Sequence, residues 1–480
     1  MKKLGLSVAM LLGVAGLAQA ADLPTAKPAP APPLPGLASC GSLTEFITTN
    51  CPLTYYGITL YGTVDLGVGW ESHGTKFNSN IVTGVEEFVQ KNSNKAIWNL
   101  TPNGLSQSNI GIKGKEEFMP GWSFVFDLNM GFDPYSLQLA NGPRSLVENN
   151  GLPLTLQNSN ADSSRAGQFY NGVGFAGISS TTFGTLTFGR QNSLTLDGVN
   201  TYDPMGGSYA FSPIGWSGAT SGVGDTEDVR YSTAFKYRVD VGQFRAAALW
   251  QLGGYDLNNA SNGAYQFQVG SDFNIPGGDY GKLGVDAIYS HVTDAVSAAA
   301  LSTAALAAKY PNSLAATISD DTSGMLLAKY TLGPVKVFGG YERIFFANPS
   351  DPQTTFTNIG GYTVFSANIT NTAYAANNKI LQVMWTGARY AFTDDLDTGV
   401  GYYHYIQNNF GGPASCATSG ASSSHCAGTM DAVSWDVDWK FAKKFDVYAG
   451  VMFSQVHDGL ANGYLHSAVL SPSAGLRFRF

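Results

Sequence analysis

Charge is what this chain has least of. Only 13% of its 480 residues are Asp, Glu, Lys or Arg, against roughly a quarter in an ordinary soluble domain. The formal balance is −8, more negative still without Lys2 and Lys3, and an acidic chain excludes nucleic acid as the expected partner. Long apolar runs are missing after Leu17: nothing there approaches the roughly eighteen consecutive apolar residues of a membrane helix, so any membrane residence has to be through strands. Histidine is sparse. His73, His291, His404, His425, His457 and His466 show no ligand spacing, and no serine or cysteine stands in a nucleophile motif, so nothing supports catalysis, a metal or a cofactor. An enzyme built on a barrel would need His, Ser and acid gathered at one rim. Cysteine is confined to two close pairs, Cys40 with Cys51 and Cys416 with Cys426. Of the three possible pairings the local one is the cheapest to close. The rival reading is a zinc site, but only His425 lies near and the two pairs are far apart in the chain.

What is plentiful is glycine and aromatic side chains: 57 Gly, 24 Tyr and 28 Phe. Few charges with many aromatics and glycines suit a β-barrel with an apolar outer band and aromatic girdles. Lys2 and Lys3, an apolar run from about Leu4 to Leu17 and the triplet Ala18-Gln19-Ala20 make residues 1–20 a secretory signal. The mature chain therefore enters an oxidising compartment where two disulfides are the default. Residues 21–55 form a Pro-rich segment: PTAKPAPAPPLPG favours a polyproline II spacer of about 3 Å per residue, and the Cys40 to Cys51 loop follows.

From Tyr56 to Phe480 the chain reads as a series of alternating strands. In the first, Leu60, Val64, Leu66, Val68 and Trp70 share one parity while Thr59, Tyr61, Thr63, Asp65 and Glu71 share the other. Near the end, Trp435, Trp439, Phe441, Phe445 and Phe453 oppose Asp436, Asp438, Lys440 and Asp446. About sixteen such strands follow one another, joined alternately by short turns, as at Met119-Pro120-Gly121 and Gly333-Pro334, and by long loops. A soluble sandwich also alternates, but the signal segment, uniform strand length and alternating loop lengths favour an all-β transmembrane antiparallel barrel with short periplasmic turns and long extracellular loops.

The longest statement in the sequence is the loop between FGTLTFGRQ and DVRYSTAFKY. Between Gln191 and Val229 it has no Lys or Arg and carries Asp197, Asp203, Asp225, Glu227 and Asp228. Tyr202, Met205, Tyr209, Phe211, Ile214 and Trp216 are too many apolar groups for a free tail, so the loop is expected to fold into the barrel and narrow a water-filled pore. Inward parity collects Lys113, Arg230, Lys236, Arg238, Arg245, Lys282, Lys329, Lys440, Arg477 and Arg479 on the wall. Gly172-Val173-Gly174-Phe175-Ala176-Gly177 matches GxGxxG, but the strand-like SSTTFGTLTFG follows it where a dinucleotide site needs a helix. Small residues at Gly172, Gly174 and Gly177 fit a subunit contact. Arg190 shares parity with Leu186 and Phe188 and so points outward, where a charge at mid-membrane costs roughly 2 to 4 kcal/mol.

LYGTVDLGVGW, SNIGIKG followed by PGWSFVFDLNMGF, FGTLTFGRQ and the terminal FRF together resemble the corresponding segments of general diffusion porins of Gram-negative bacteria. The ADLP start and the cysteine loop resemble porins of alphaproteobacteria. The resemblance implies a sixteen-stranded homotrimeric barrel in the outer membrane, in contact with lipid and lipopolysaccharide, with its third loop bent into the lumen. It implies that Phe480 is a terminal aromatic read by the barrel-assembly machinery and that Arg190 is buried at the trimer contact. It also implies a constriction of loop acids opposite a basic wall: Asp197 and Asp203 facing Lys113, Arg230 and Arg245. DPMGG resembles the PEFGG loop tip of enterobacterial relatives, with Pro204 where their Glu stands, and Asn109 and Gly172 fall where relatives carry arginines. A wall thinned in this way predicts a passive channel for small hydrophilic solutes and ions with weak cation preference. A substrate-selective channel would show a continuous inward aromatic ladder, for which Tyr403 and Tyr405 are too few. A structural or adhesive barrel plugged by its loops is the alternative from another class.

Overall fold

The computed structural model describes residues 40, 42–73, 96–132, 134–135, 137, 150–152, 172–216, 230–275, 281–355, 363–374, 377–412, 416, 425–461 and 466–480. The signal segment, the stretch PTAKPAPAPPLPG and the loop acids Asp225, Glu227 and Asp228 lie outside them.

Sixteen antiparallel strands close into one barrel. They are β1 Ile58–Glu71, β2 Asn109–Met119, β3 Trp122–Gly131, β4 Gly174–Ser180, β5 Gly184–Asn192, β6 Arg230–Val241, β7 Phe244–Gln251 and β8 Gly263–Asn274. There follow β9 Lys282–Ala299, β10 Leu314–Leu332, β11 Val335–Ala347, β12 Lys379–Ala391, β13 Leu396–Gln407, β14 Gly428–Ala442, β15 Phe445–Asp458 and β16 Ala468–Arg479. Each pairs with its neighbours in sequence order, and β16 returns to β1 with Arg479 opposite Thr63. Phe480 completes the seam: its amide donates to the Gly62 carbonyl and its carbonyl accepts from the Gly62 amide, both at 3.0 Å. Gly62 leaves room for the Phe480 ring, which a Cβ there would meet at 2.5 Å. The strand number and the short turns at one end are those the alternation implies. Gly121 and Gly242 close two of the turns at φ +76 and +63, a region that suits glycine.

Side chains alternate across the wall. Val433, Trp435, Trp439, Phe441 and Phe453 are exposed on the outer face, while Asp436, Asp438 and Asp446 are buried in the lining. β9 and β10, with 18 and 19 residues, outrun the 9 to 11 or so needed to cross a bilayer. Their outer ends carry a satellite core of Val296, Leu314, Ile318 and Val364, completed by strand Val364–Asn371 running parallel to β10.

Both local disulfides form, Cys40–Cys51 and Cys416–Cys426. The first closes a segment holding α1, Leu43–Thr48, capped by Ser42, whose side chain accepts from the Glu45 amide. Phe46 of α1 lies edge-on to Phe478 and Phe480 at 6.4 and 6.5 Å. Lys444 covers Phe46 at 3.9 Å and donates to the Cys51 carbonyl at 3.0 Å.

Candidate channel constriction

The third loop turns inward at once. Ser193 caps α2, Leu194–Tyr202, by accepting from the Leu196 amide, and Gln266 on the wall accepts from the Leu194 amide at 2.6 Å. Leu194, Val199, Tyr202, Met205, Phe211 and Ile214 are fully or almost fully buried, packed with Ile288, Leu327, Trp385, Tyr403 and Met452 of the wall in one core inside the barrel. Gly198 lies close against the wall: a Cβ there would meet Ile288 Cδ1 and Leu327 Cδ1 at 2.8 Å. The Trp385 indole donates to the Tyr202 carbonyl at 3.1 Å. Pro204 fills the space left by Gly387, whose Cβ would meet its ring at 2.6 Å. The folding of the loop onto the wall is thus driven by apolar burial, as its composition implies.

Its acids do not lie where the sequence places them. Asp203 is buried: its carboxylate accepts from the Tyr403 hydroxyl at 2.6 Å and from the Gly207 amide at 2.7 Å, so it ties the loop tip to the wall and does not line the lumen. Burial pushes this carboxyl above its ordinary value, opposed first by Tyr403 and then by Gly207. Asp197 does face the pore, where Lys236 and Arg238 of β6 both engage it.

The wall residues divide. Lys113 is exposed, 4.7 Å over the Tyr61 ring, and Asn109 is held by the Gln107 carbonyl and Asn129. Arg230 donates to Asn192 at 3.1 Å. Arg245 bridges Asp272 at 3.0 Å and Asp286 at 2.8 Å, and reaches the Tyr202 hydroxyl at 2.7 Å. The structure adds Arg389, which binds Asp397, Asp436 and the Pro204 carbonyl. Parity did not reveal Arg389 because Leu381, Val383 and Trp385, on the same face of β12, are apolar residues turned inward to receive the loop. Lys336 and Asp397 also went unread, on faces that carry the buried Phe338 and Ile344, and Tyr403 and Tyr405.

On the predicted contact face, Arg190 is only 6% exposed and donates to the Ser232 hydroxyl at 3.1 Å and the Arg230 carbonyl, so burial within its own chain replaces an open outward position. The cause is a bulge after Gly189, at φ +132, which breaks the parity on which the outward reading rested. Gly174 shares the outer face with Ala176 and Ile178, whereas Gly177 has the other parity, and its Cβ would strike the Leu186 carbonyl at 2.1 Å. Gly172 lies against Asn129. Among the described residues no group of three or more His, Cys, Asp or Glu is arranged to hold a metal.

The sequence matches the Gram-negative porin family over residues 6–459. An outer membrane porin protein of Bordetella pertussis is 24% identical over 181 residues, a match that covers 38% of this chain and 38% of that protein. Among solved structures, the anion-selective porin from Comamonas acidovorans superposes with a TM-score of 0.55 at 14% identity, covering 88% of this chain and 99% of its own. The outer-membrane expressed OmpT of Vibrio cholerae gives 0.53 at 14%, covering 89% and 100%. At such identities these two structures speak for the fold alone. With the family matched along nearly its whole length and sixteen strands closed around an inward loop, the chain belongs to the Gram-negative porins, β-barrels of the outer membrane.

Proposed function

We propose that this chain is a passive channel for small hydrophilic solutes and ions, with a weak preference for anions. The observation that carries the preference is how far each charge reaches into the lumen. The side chains of Lys282, Arg479 and Arg238 are 55%, 45% and 43% exposed, while those of Asp286, Asp436 and Asp446 are at most 2% exposed. At these positions the acid sits in the wall and the cation stands clear of it, while the more exposed acids Asp272 and Asp197, at 36% and 25%, are each held by two cations. A passing ion meets the nearer charge more strongly, because the interaction falls with distance and is screened within about 10 Å at 0.1 M salt. The cation preference expected from loop acids loses its basis at Asp203, which is buried, and at Asp197, which has two cationic partners. A reversal potential across a planar bilayer under a KCl gradient tests this reading. A potential of the anion sign supports it, the cation sign returns the lead to Asp225, Glu227 and Asp228, and the absence of any current identifies a plugged structural barrel.

The assembly we propose is a homotrimer set among lipid and lipopolysaccharide, with Gly174 at the subunit contact and Phe480 as the terminal aromatic that the barrel-assembly machinery reads; Gly172, buried against Asn129, does not reach that face. Closed strands leave no edge to fray, so the trimer should survive unheated SDS. Migration as a monomer in mild SDS would remove the trimer from this reading while leaving the channel.

A further inference from the structure

Lys329 and Lys336 are neighbouring lumen cations that no carboxylate among the described residues reaches as an ion-pair partner. They stand on neighbouring strands β10 and β11, where the register sets Lys329 opposite Phe338 and Lys336 opposite Thr331. Both therefore face the lumen as diagonal neighbours, with Cα atoms about 7 to 8 Å apart. Lys329 is held in place by the inner loop: its ammonium donates to the Thr201 carbonyl at 3.2 Å and lies 5.4 Å from the centre of the Tyr202 ring. Lys336 is exposed. The acids around them are engaged by other cations. Asp272 is bound by Arg245 and, at 2.9 Å, by Lys282; Asp286 by Arg245; Asp397 and Asp436 by Arg389, which stands directly opposite Lys336 on β12. Neither lysine has an ion-pair partner among the described residues.

Two ammonium groups held on adjacent strands repel one another, and a single anion of double charge placed between them relieves that repulsion and gains from both. An anion of single charge gains about half as much. We propose that Lys329 and Lys336 form a subsite for compact divalent oxyanions, of the inorganic phosphate or sulfate class, beside the tip of the inner loop. The Thr201 carbonyl fixes Lys329 and leaves its remaining N–H bonds to reach the ligand, while exposed Lys336 closes from the other side. Such a site would concentrate oxyanions at the constriction without any conformational cycle. It rests on the anion-preferring reading above and narrows it to a ligand class.

The test is chloride current through the purified full-length protein in a planar bilayer at 0.1 M KCl, titrated with sulfate and, in parallel, with monovalent nitrate. Sulfate at millimolar concentration should depress the wild-type current, and nitrate should not. Lys329→Gln and Lys336→Gln should each weaken the sulfate effect about fivefold, and the double variant more than either. Lys336→Gln changes an exposed side chain, Lys329→Gln also gives up the bond to the Thr201 carbonyl, and heat-modifiable migration in SDS verifies that each barrel is folded. Inorganic phosphate at alkaline pH should act as sulfate does. An anion-selective channel whose current ignores sulfate, or whose sulfate response survives both substitutions, overturns the subsite and leaves the selectivity reading standing. A cation-selective reversal potential overturns the selectivity reading itself.

Discussion

Tyr403 on β13 and Asp203 at the tip of the inner loop are joined by one hydrogen bond, hydroxyl to carboxylate at 2.6 Å, and both side chains are buried. The bond fastens the loop across the lumen to a wall strand 200 residues further along the chain. A carboxylate used in this way is a fastening, and its charge does not meet the ions that pass.

Asp203→Asn should therefore leave the reversal potential unchanged, since the amide keeps an acceptor for Tyr403. Tyr403→Phe should leave the carboxylate short of a donor in a buried place, a loss of about 1 to 3 kcal/mol to loop docking. The measurement is limited proteolysis of the loop in the folded barrel, with noisier single-channel current as its companion. A clear change in selectivity with Asp203→Asn would return that carboxylate to the pore.

Asp197 behaves oppositely because it balances Lys236 and Arg238 in view of the lumen. One unit charge about 10 Å from an ion in water is worth roughly 0.4 kcal/mol, of opposite sign for cations and anions. Asp197→Asn should raise the anion-to-cation permeability ratio about fourfold at low salt, and less as salt screens it. An unchanged ratio would show that the narrowest section lies elsewhere.

Gly198→Val puts atoms where Ile288 and Leu327 already stand, at 2.8 Å from the first added carbon. Overpacking of this kind costs about 1 to 3 kcal/mol, and α2 should be displaced from the wall. Single-channel conductance should change while the barrel keeps its heat-modifiable migration.

The strands were legible because a barrel wall separates lipid from water at every step, and Trp435, Asp436, Phe441 and Asp446 report that division residue by residue. Legibility failed where the lumen itself is apolar. Leu381, Val383 and Trp385 face inward to receive the loop, so the inward face of β12 reads as apolar and hid Arg389. It failed again at Gly189, where the bulge shifted the phase that Arg190 was read from. Asp203 could not be read at all, since its partner Tyr403 becomes a neighbour only when the barrel closes.

The Cys40–Cys51 bond should stabilise its loop by about 3 kcal/mol in the chain-entropy model. In a Cys40→Ser, Cys51→Ser variant, α1 should become accessible to protease while the barrel persists. Peptide mapping of the wild type should recover the pairs Cys40–Cys51 and Cys416–Cys426, and a crossed pair would contradict the fold described here.

At the rim opposite the short turns, His73 and His466 stack at 3.9 Å with rings 20° apart. Burial, and then the charge of His73, hold His466 below its ordinary value of 6.5. A histidine depressed in the folded state takes up its proton more readily when released, so the contact is at full strength above about pH 6.5 and weakens as pH falls. Hydrogen exchange around residues 466–470 should quicken on acidification, and His466→Phe should abolish that dependence. Exchange that quickens equally in the variant would refute it.

The pairing of Gly62 with Phe480 also sets the order in which this molecule can be made. The first strand gains its partner on one side only when β16 arrives, Ser473 to Arg479 against Gly69 to Thr63, so closure joins strands far apart in the chain, the most costly kind of loop to form and the slowest to reward. Until then β1 and β16 are open edges, able to pair with any other strand within reach. A barrel sealed by pairing β16 onto β1 stays open until that strand docks, which makes loss of β16 a defect of assembly before it is a defect of transport.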